Sequence, residues 1–174
     1  MGEFYAAAMF GFEPGETLFE GSARLSVFRP LDLQRQGFYT SDEHIAIEPG
    51  HPRFGPGATV RLFDDDGQAT EGLRKIQIVL GQLHAGIAAT RRFIADALRL
   101  KLIEPIDIAL TFDDGKRLDL DGLYTISRDN LGDLADDDIV TLFRSGHLQA
   151  AMSMTFSLNQ VAVLAQRRNA RLTG

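Results

Sequence analysis

The chain has 174 residues, 44% of them apolar and 24% charged, a formal net charge of −6 and no cysteine. A chain of this length buries roughly 70% of its open-chain surface on folding, so one domain over residues 1–174 needs neither disulfides nor a structural metal. Disulfides, thiolate metal sites and cysteine nucleophiles are excluded, and the scattered Lys and Arg argue against a nucleic-acid partner.

No segment reaches the roughly 18–20 apolar residues of a membrane-spanning helix. Phe4 to Phe12 is apolar but carries no basic leader, which makes a poor secretion signal and points to a cytoplasmic protein. Residues 1–68 read as a strand- and loop-rich part. Short strand-like runs at Ala23–Arg29, Gly37–Thr40, His44–Ile47 and Thr59–Phe63 are interrupted by Arg29-Pro30, Glu48-Pro49-Gly50, His51-Pro52 and Gly55-Pro56-Gly57. Proline offers no backbone donor, so these are edge strands of an irregular antiparallel sheet. Asp64-Asp65-Asp66-Gly67 reads as a turn, because the spacing of a calcium loop is missing and position 75 is Lys.

Residues 69–174 read as helix, hairpin and helices. Thr70 and Glu71 open a helix whose apolar residues Leu73, Ile76, Leu80, Leu83 and Ile87 recur every three or four positions, with Ile94 and Ala97 continuing the stripe later. Gly81 and Gly86 predict a bend or break near Gly86, making this one long helix or a helix pair that ends by Glu104-Pro105. Ile106, Ile108, Leu110 and Phe112 alternate with Asp107, Ala109 and Thr111 as a strand with one buried face. After the turn Asp113-Asp114-Gly115-Lys116, Leu118, Leu120, Tyr124 and Ile126 continue in one phase through Gly122 as the second strand of a hairpin. Ser127 and Asp136 are candidate caps for two further helices, the second closed by Arg144-Ser145-Gly146. The apolar positions from Leu148 to Phe156 and from Leu158 to Leu164 read as core, and Arg167–Gly174 as a frayed basic tail. The fold class is α+β.

No Gly-x-Ser-x-Gly elbow, Ser-x-x-Lys pair or phosphate-cradling glycine loop occurs, so no catalytic residue and no cofactor are assigned. His44 and His51 lie near Asp42, Glu43 and Glu48 and leave open a metal-dependent alternative, an iron or zinc enzyme. However, they lack a defined ligand spacing and also read as turn histidines. Arg74-Lys75, Arg91-Arg92 and Arg167-Arg168 read as solvated helix faces. The strongest candidate constellation is Phe28-Arg29-Pro30 with Arg35, Gly37-Phe38-Tyr39 and His51-Pro52-Arg53-Phe54. Arg interleaved with aromatics on irregular backbone suits a carboxylate or an extended peptide, so Arg29, Arg35, Phe38, Tyr39, His51, Arg53 and Phe54 form the expected ligand site. Arg stems stapled over aromatic rings produce the same pattern without any ligand.

Several motifs in order, Gly11-Phe12 to Glu16-Thr17-Leu18-Phe19, Arg29-Pro30 to Gly37-Phe38, Arg61-Leu62-Phe63-Asp64 to Gly67, Leu102-Ile103-Glu104-Pro105, Leu120 to Tyr124 and Phe143-Arg144-Ser145-Gly146, resemble the bacterial SapC-like family, related to a surface-array-associated protein. The resemblance runs from about residue 8 onward. Against that pattern the chain is expected to lack the family's first segment, and His51-Pro52-Arg53-Phe54 replaces a central acidic motif. An open sheet edge would then favour a homo-oligomer, such as a homodimer. The resemblance implies no established reaction. It is similar to proteins encoded beside halogenase-like enzymes, cupin-like proteins and TonB-dependent receptors, which suits an accessory role. The expected function is therefore a noncatalytic binding or accessory protein for a peptide-like or acidic ligand or partner, the alternatives being the metal-dependent enzyme and an oligomeric envelope-associated component.

Overall fold

The computed structural model describes residues 3–18 and 29–172. Apart from Arg29, the strand expected at 23–29 lies outside the described residues. The chain divides into two compact units, Ala23–Ala89, and Met1–Ser22 with Thr90–Gly174.

In the Ala23–Ala89 unit, Pro30 precedes one turn of helix, α1 (Leu31–Gln34), and two short strands follow, β1 (Phe38–Ser41) and β2 (His44–Ile47). They pair antiparallel from Phe38 opposite Ile47 to Ser41 opposite His44, around a turn in which Asp42 takes a left-handed conformation (φ 52°). A 3-10 turn covers Pro52–Phe54. Thr59–Phe63 is not a strand. Its single ladder contact is Phe63 with Ala69, across the Asp64–Gly67 turn, because no neighbouring strand among the described residues supplies a partner. In that turn the Asp64 carboxylate accepts from the amides of Asp66 and Gln68, so the aspartate run is a turn, as its spacing indicates. Helix α2 (Glu71–Arg99) begins where the Thr70 hydroxyl accepts from the Leu73 amide at 3.4 Å. Phe38, Leu73, Ile76 and Leu80 are buried together, with Ile45, Phe54 and Leu62 packed around them.

α2 runs unbroken through Gly81 and Gly86. The expected break is absent because two glycines cost only about 1 kcal/mol each relative to alanine, and both ends of the helix carry buried side chains. The apolar stripe does not extend along the whole helix, since Ile87 is 51% exposed. From Thr90 onward its residues belong to the other unit. The helix ends at Arg99, earlier than Glu104-Pro105, in a left-handed Lys101 (φ 54°) with the Leu102 amide bonded back to the Ala97 carbonyl at 2.8 Å.

The second unit is built on the hairpin of β3 (Ile103–Thr111) and β4 (Arg117–Ile126), joined by the Asp113–Lys116 turn. The register jumps from Ile106 opposite Leu123 to Ile108 opposite Leu120, which inserts one extra residue in β4 at Gly122 (φ 73°). That bulge overturns the expected single phase. Leu118 and Leu120 share a face with Ile108 and Leu110, whereas Tyr124 and Ile126 pair with Pro105 and Ile103 on the other. The hairpin therefore supplies two cores. Leu110, Leu118 and Leu120 pack with Phe12, Leu18, Phe112 and Leu164, and Ile103 and Ile126 with Ala97, Leu102, Leu142 and Ala151.

Four helices follow: α3 (Arg128–Gly132), α4 (Asp136–Ser145), α5 (His147–Ser157) and α6 (Asn159–Leu172). Ser127 caps α3 by accepting from the Asn130 amide, but α4 is preceded by Ala135 with no side-chain cap. Asp136 is its first residue and, with Asp137 and Asp138, meets the positive end of the helix. Gly146 closes α4. Of the residues read as core here, Ala151, Thr155 and Leu164 are buried, while Met152, Phe156, Leu158 and Val163 lie on exposed faces. The basic C-terminal stretch is not frayed. Arg168 is 9% exposed, lies 4.4 Å over the Phe112 ring and pairs with Glu13 at 2.5 Å, with the Glu16 carboxylate 3.7 Å away. Arg171 donates to the Thr17 carbonyl at 2.6 Å. Residues 9–18, with little regular structure of their own, are thereby tied to α6.

Two stability predictions follow from this unit. A β-branched residue at a left-handed position costs about 1–2 kcal/mol, so Gly122→Val lowers the unfolding free energy by that amount, read as a lower urea midpoint with an unchanged slope; an unchanged midpoint contradicts the bulge. The Glu13 carboxyl is held below the ordinary carboxylate range, chiefly by the hydrogen bond from Arg168. A lowered folded value gives stability that is present above the unfolded carboxylate value of about 4.3 and is lost as pH falls through the folded one. Thermal melts of Glu13→Gln should accordingly lose less stability than the parent on acidification below about pH 4; parallel curves would show that the pair carries none of the acid sensitivity.

Candidate functional site

The Ala23–Ala89 unit holds a cavity of about 910 Å³, within the roughly 300–1,000 Å³ typical of small-ligand sites. Its floor is apolar, formed by Phe38, Phe54, Leu62, Ile76 and Val79, and one wall is the irregular chain from Pro56 to Val60. Among the described residues, the ionisable ones lining it are Arg29, Arg53 and Lys75, with no Asp or Glu.

The order of elements explains this placement. Phe38 begins β1 and is 2% exposed, its ring edge-on to Phe54 at 5.0 Å. Arg53 lies in the 3-10 turn with its guanidinium 5.1 Å over the Phe38 ring. Its Nη1 donates to the carbonyls of Gln34 at 2.6 Å and Gln36 at 3.1 Å, which fixes the 3-10 turn against the turn before β1. Partial burial, and after it the like charge of Arg29, hold the Arg53 guanidinium below its ordinary value. Two like charges in one cavity wall favour an anion between them. The Arg29 side chain has no hydrogen-bond or ion-pair partner among the described residues, while its carbonyl accepts from Gln34 at 2.5 Å. Lys75 is held by Glu71 at 2.7 Å on the exposed side of α2, so its charge is the most compensated of the three.

The seven residues singled out in the sequence thus separate into two groups. Arg29, Phe38, Arg53 and Phe54 line the cavity, whereas Arg35, Tyr39 and His51 do not. Arg35 pairs with Asp32 at 2.7 Å and sits 5.3 Å over the Tyr39 ring. The Tyr39 hydroxyl donates to the Glu48 carboxylate at 3.1 Å, which raises the phenol above its ordinary value. The His51 Nδ1 accepts from the Arg53 amide at 3.2 Å and so caps the 3-10 turn. For these three, the stapled arrangement of Arg over aromatic rings describes the local geometry. Lys75, which in the sequence reads as half of a solvated Arg74-Lys75 pair, also lines the cavity. The signal was its spacing, because Gly72, Lys75, Ile76 and Val79 fall on one stripe of α2.

Among the described residues, no three His, Asp or Glu side chains come together as a metal-holding group. His44 and His51 with Asp42 or Glu48 therefore form no ligand set. In the other unit, His147 pairs with Asp96 at 2.7 Å and stands edge-on to Phe93, a partly buried link between α5 and α2. No helix among the described residues is long and apolar enough to cross a membrane.

No curated protein and no solved structure matches the chain, while the model of the family described as SapC matches residues 1–164. That span covers the whole cavity lining and all but the last turns of the second unit. On this match over nearly its full length, the chain belongs to the SapC family.

Proposed function

We propose that this SapC-family chain is a noncatalytic binding or accessory protein that holds an anionic, partly apolar ligand of peptide-like character in the cavity of the Ala23–Ala89 unit. The observation that carries the reading is the composition of the lining, which among the described residues is three cations and no carboxylate around an apolar floor. A ligand carboxylate between Arg29 and Arg53 would relieve their mutual repulsion and form charge-assisted hydrogen bonds, while its apolar body covers Phe38, Phe54 and Ile76. Arg29 is the recognition group, because its side chain is not committed to a partner among the described residues. Arg53 both shapes the wall and contributes charge.

The test uses a rhodamine-labelled pentapeptide, Ala-Val-Thr-Val-Phe, with a free C-terminal carboxylate, compared with its C-terminal amide by fluorescence polarisation. The carboxylate form should bind saturably and the amide more weakly. Arg29→Glu should weaken the carboxylate form about 10- to 100-fold, the range expected for a lost charge-assisted hydrogen bond of roughly 1.5–3 kcal/mol. Arg35→Ala should leave binding within about twofold, since Arg35 does not line the cavity. Equal binding of carboxylate and amide, or a loss at Arg35 with none at Arg29, would overturn the assignment.

A further inference from the structure

The chain between Ala58 and Leu62 has a strand-like sequence, Ala-Thr-Val-Arg-Leu, but forms no strand. Both ends of the run are anchored. The Ala58 amide donates to the Gly55 carbonyl at 3.1 Å, the Thr70 amide donates to the Leu62 carbonyl at 3.0 Å, and the Thr70 hydroxyl donates to the Arg61 carbonyl at 2.7 Å. Between these anchors, the amides of Thr59, Val60, Arg61 and Leu62 and the carbonyls of Thr59 and Val60 have no hydrogen-bond partner among the described residues. Main-chain groups of this kind are strong donors and acceptors that folded proteins pair wherever water is excluded. Ala58, Thr59, Val60 and Leu62 all line the cavity.

Val60 is 64% exposed, and its side chain approaches the first turn of α2 closely. A Cβ at Gly72 would stand 2.7 Å from the Val60 Cγ1, so glycine at 72 is what lets this segment lie against the helix. The cavity thus presents a run of backbone unpaired among the described residues, together with Arg29 and Arg53.

We infer that the ligand is an extended peptide that adds as a strand to Thr59–Leu62, with a carboxylate, terminal or side-chain, reaching Arg29 and Arg53. This inference rests on the anionic-ligand reading above and adds the mode of binding. Strand addition gives affinity through main-chain hydrogen bonds and specificity through alternate side chains directed into pockets, here the apolar floor. Charge complementarity selects the partner, since the charged groups of the cavity lining among the described residues are all cations.

The experiment uses the full chain and the same pentapeptide in three forms: unmodified, N-methylated at its second and fourth residues, and N-methylated at its third and fifth. Alternate amides of an added strand face the partner, so one methylated form should lose roughly tenfold or more in affinity and the other should not. Amide hydrogen exchange at Thr59–Leu62 should be fast in the free chain and slow by about tenfold or more with the unmodified peptide. Carboxylate-dependent binding that neither methylation pattern weakens would overturn strand addition and spare the anionic site. Slow exchange at Thr59–Leu62 in the free chain would also overturn strand addition, because the segment would already be partnered. Loss of the carboxylate dependence itself would remove both. Because the modifications are on the peptide, no outcome depends on a variant that fails to fold.

Discussion

The architecture of the cavity depends on one guanidinium. Arg53 Nη1 donates to the carbonyls of Gln34 and Gln36 while the guanidinium stands over the Phe38 ring. Those contacts join the 3-10 turn, the turn before β1 and the aromatic floor in a segment that has only a two-stranded ladder to organise it. A neutral side chain could fill the space, but it could not satisfy two carbonyls and also present positive charge to the cavity. The same contacts account for the roles of the neighbouring residues. His51 caps the turn that carries Arg53, Arg35 and Tyr39 are committed to Asp32 and Glu48, and Arg29 is left facing the cavity with its side chain uncommitted among the described residues.

A second arginine organises the other unit in a comparable way. Arg168 lies against Phe112 and is neutralised by Glu13 and Glu16, so residues 9–18 gain a fixed place through ion pairs to a largely buried arginine and not through a strand or helix. Removing either carboxylate would leave a mostly buried cation under-compensated, and that penalty is generally larger than the net gain from forming such a pair.

Much of the fold was legible because it follows local rules. The 3.6-residue spacing from Leu73 to Leu80, the period-two alternation from Ile106 to Phe112, the Asp-Asp-Gly-Lys turn and the Ser127 cap each need only neighbouring residues to be read. What could not be read depends on distant ones. Whether Gly122 continues a strand or bulges is decided by the register with β3, and a single added residue moved Tyr124 and Ile126 to the opposite face. The burial of Arg168 requires Glu13, 155 residues away. Thr59–Phe63 has the composition of a strand but no ladder beyond one bridge at Phe63. The candidate site was half legible for the same reason. Arg interleaved with aromatics marked the right segment, but the pattern does not distinguish a ring that supports the fold from one that lines a cavity. Lys75 and Val60 come from other elements that only the folded chain brings there.

SapC membership and the cationic, partly apolar cavity together make a binding role for the Ala23–Ala89 unit the central claim. It is tested most directly by following the arginine side chains themselves. In ¹⁵Nε–¹Hε spectra of the chain titrated with the carboxylate pentapeptide, the Arg29 and Arg53 resonances should shift together and saturate together, while Arg35, Arg61 and Arg74 stay in place. Movement of Arg35 with Arg29 and Arg53 unmoved, or no saturable movement of any arginine, would contradict the account.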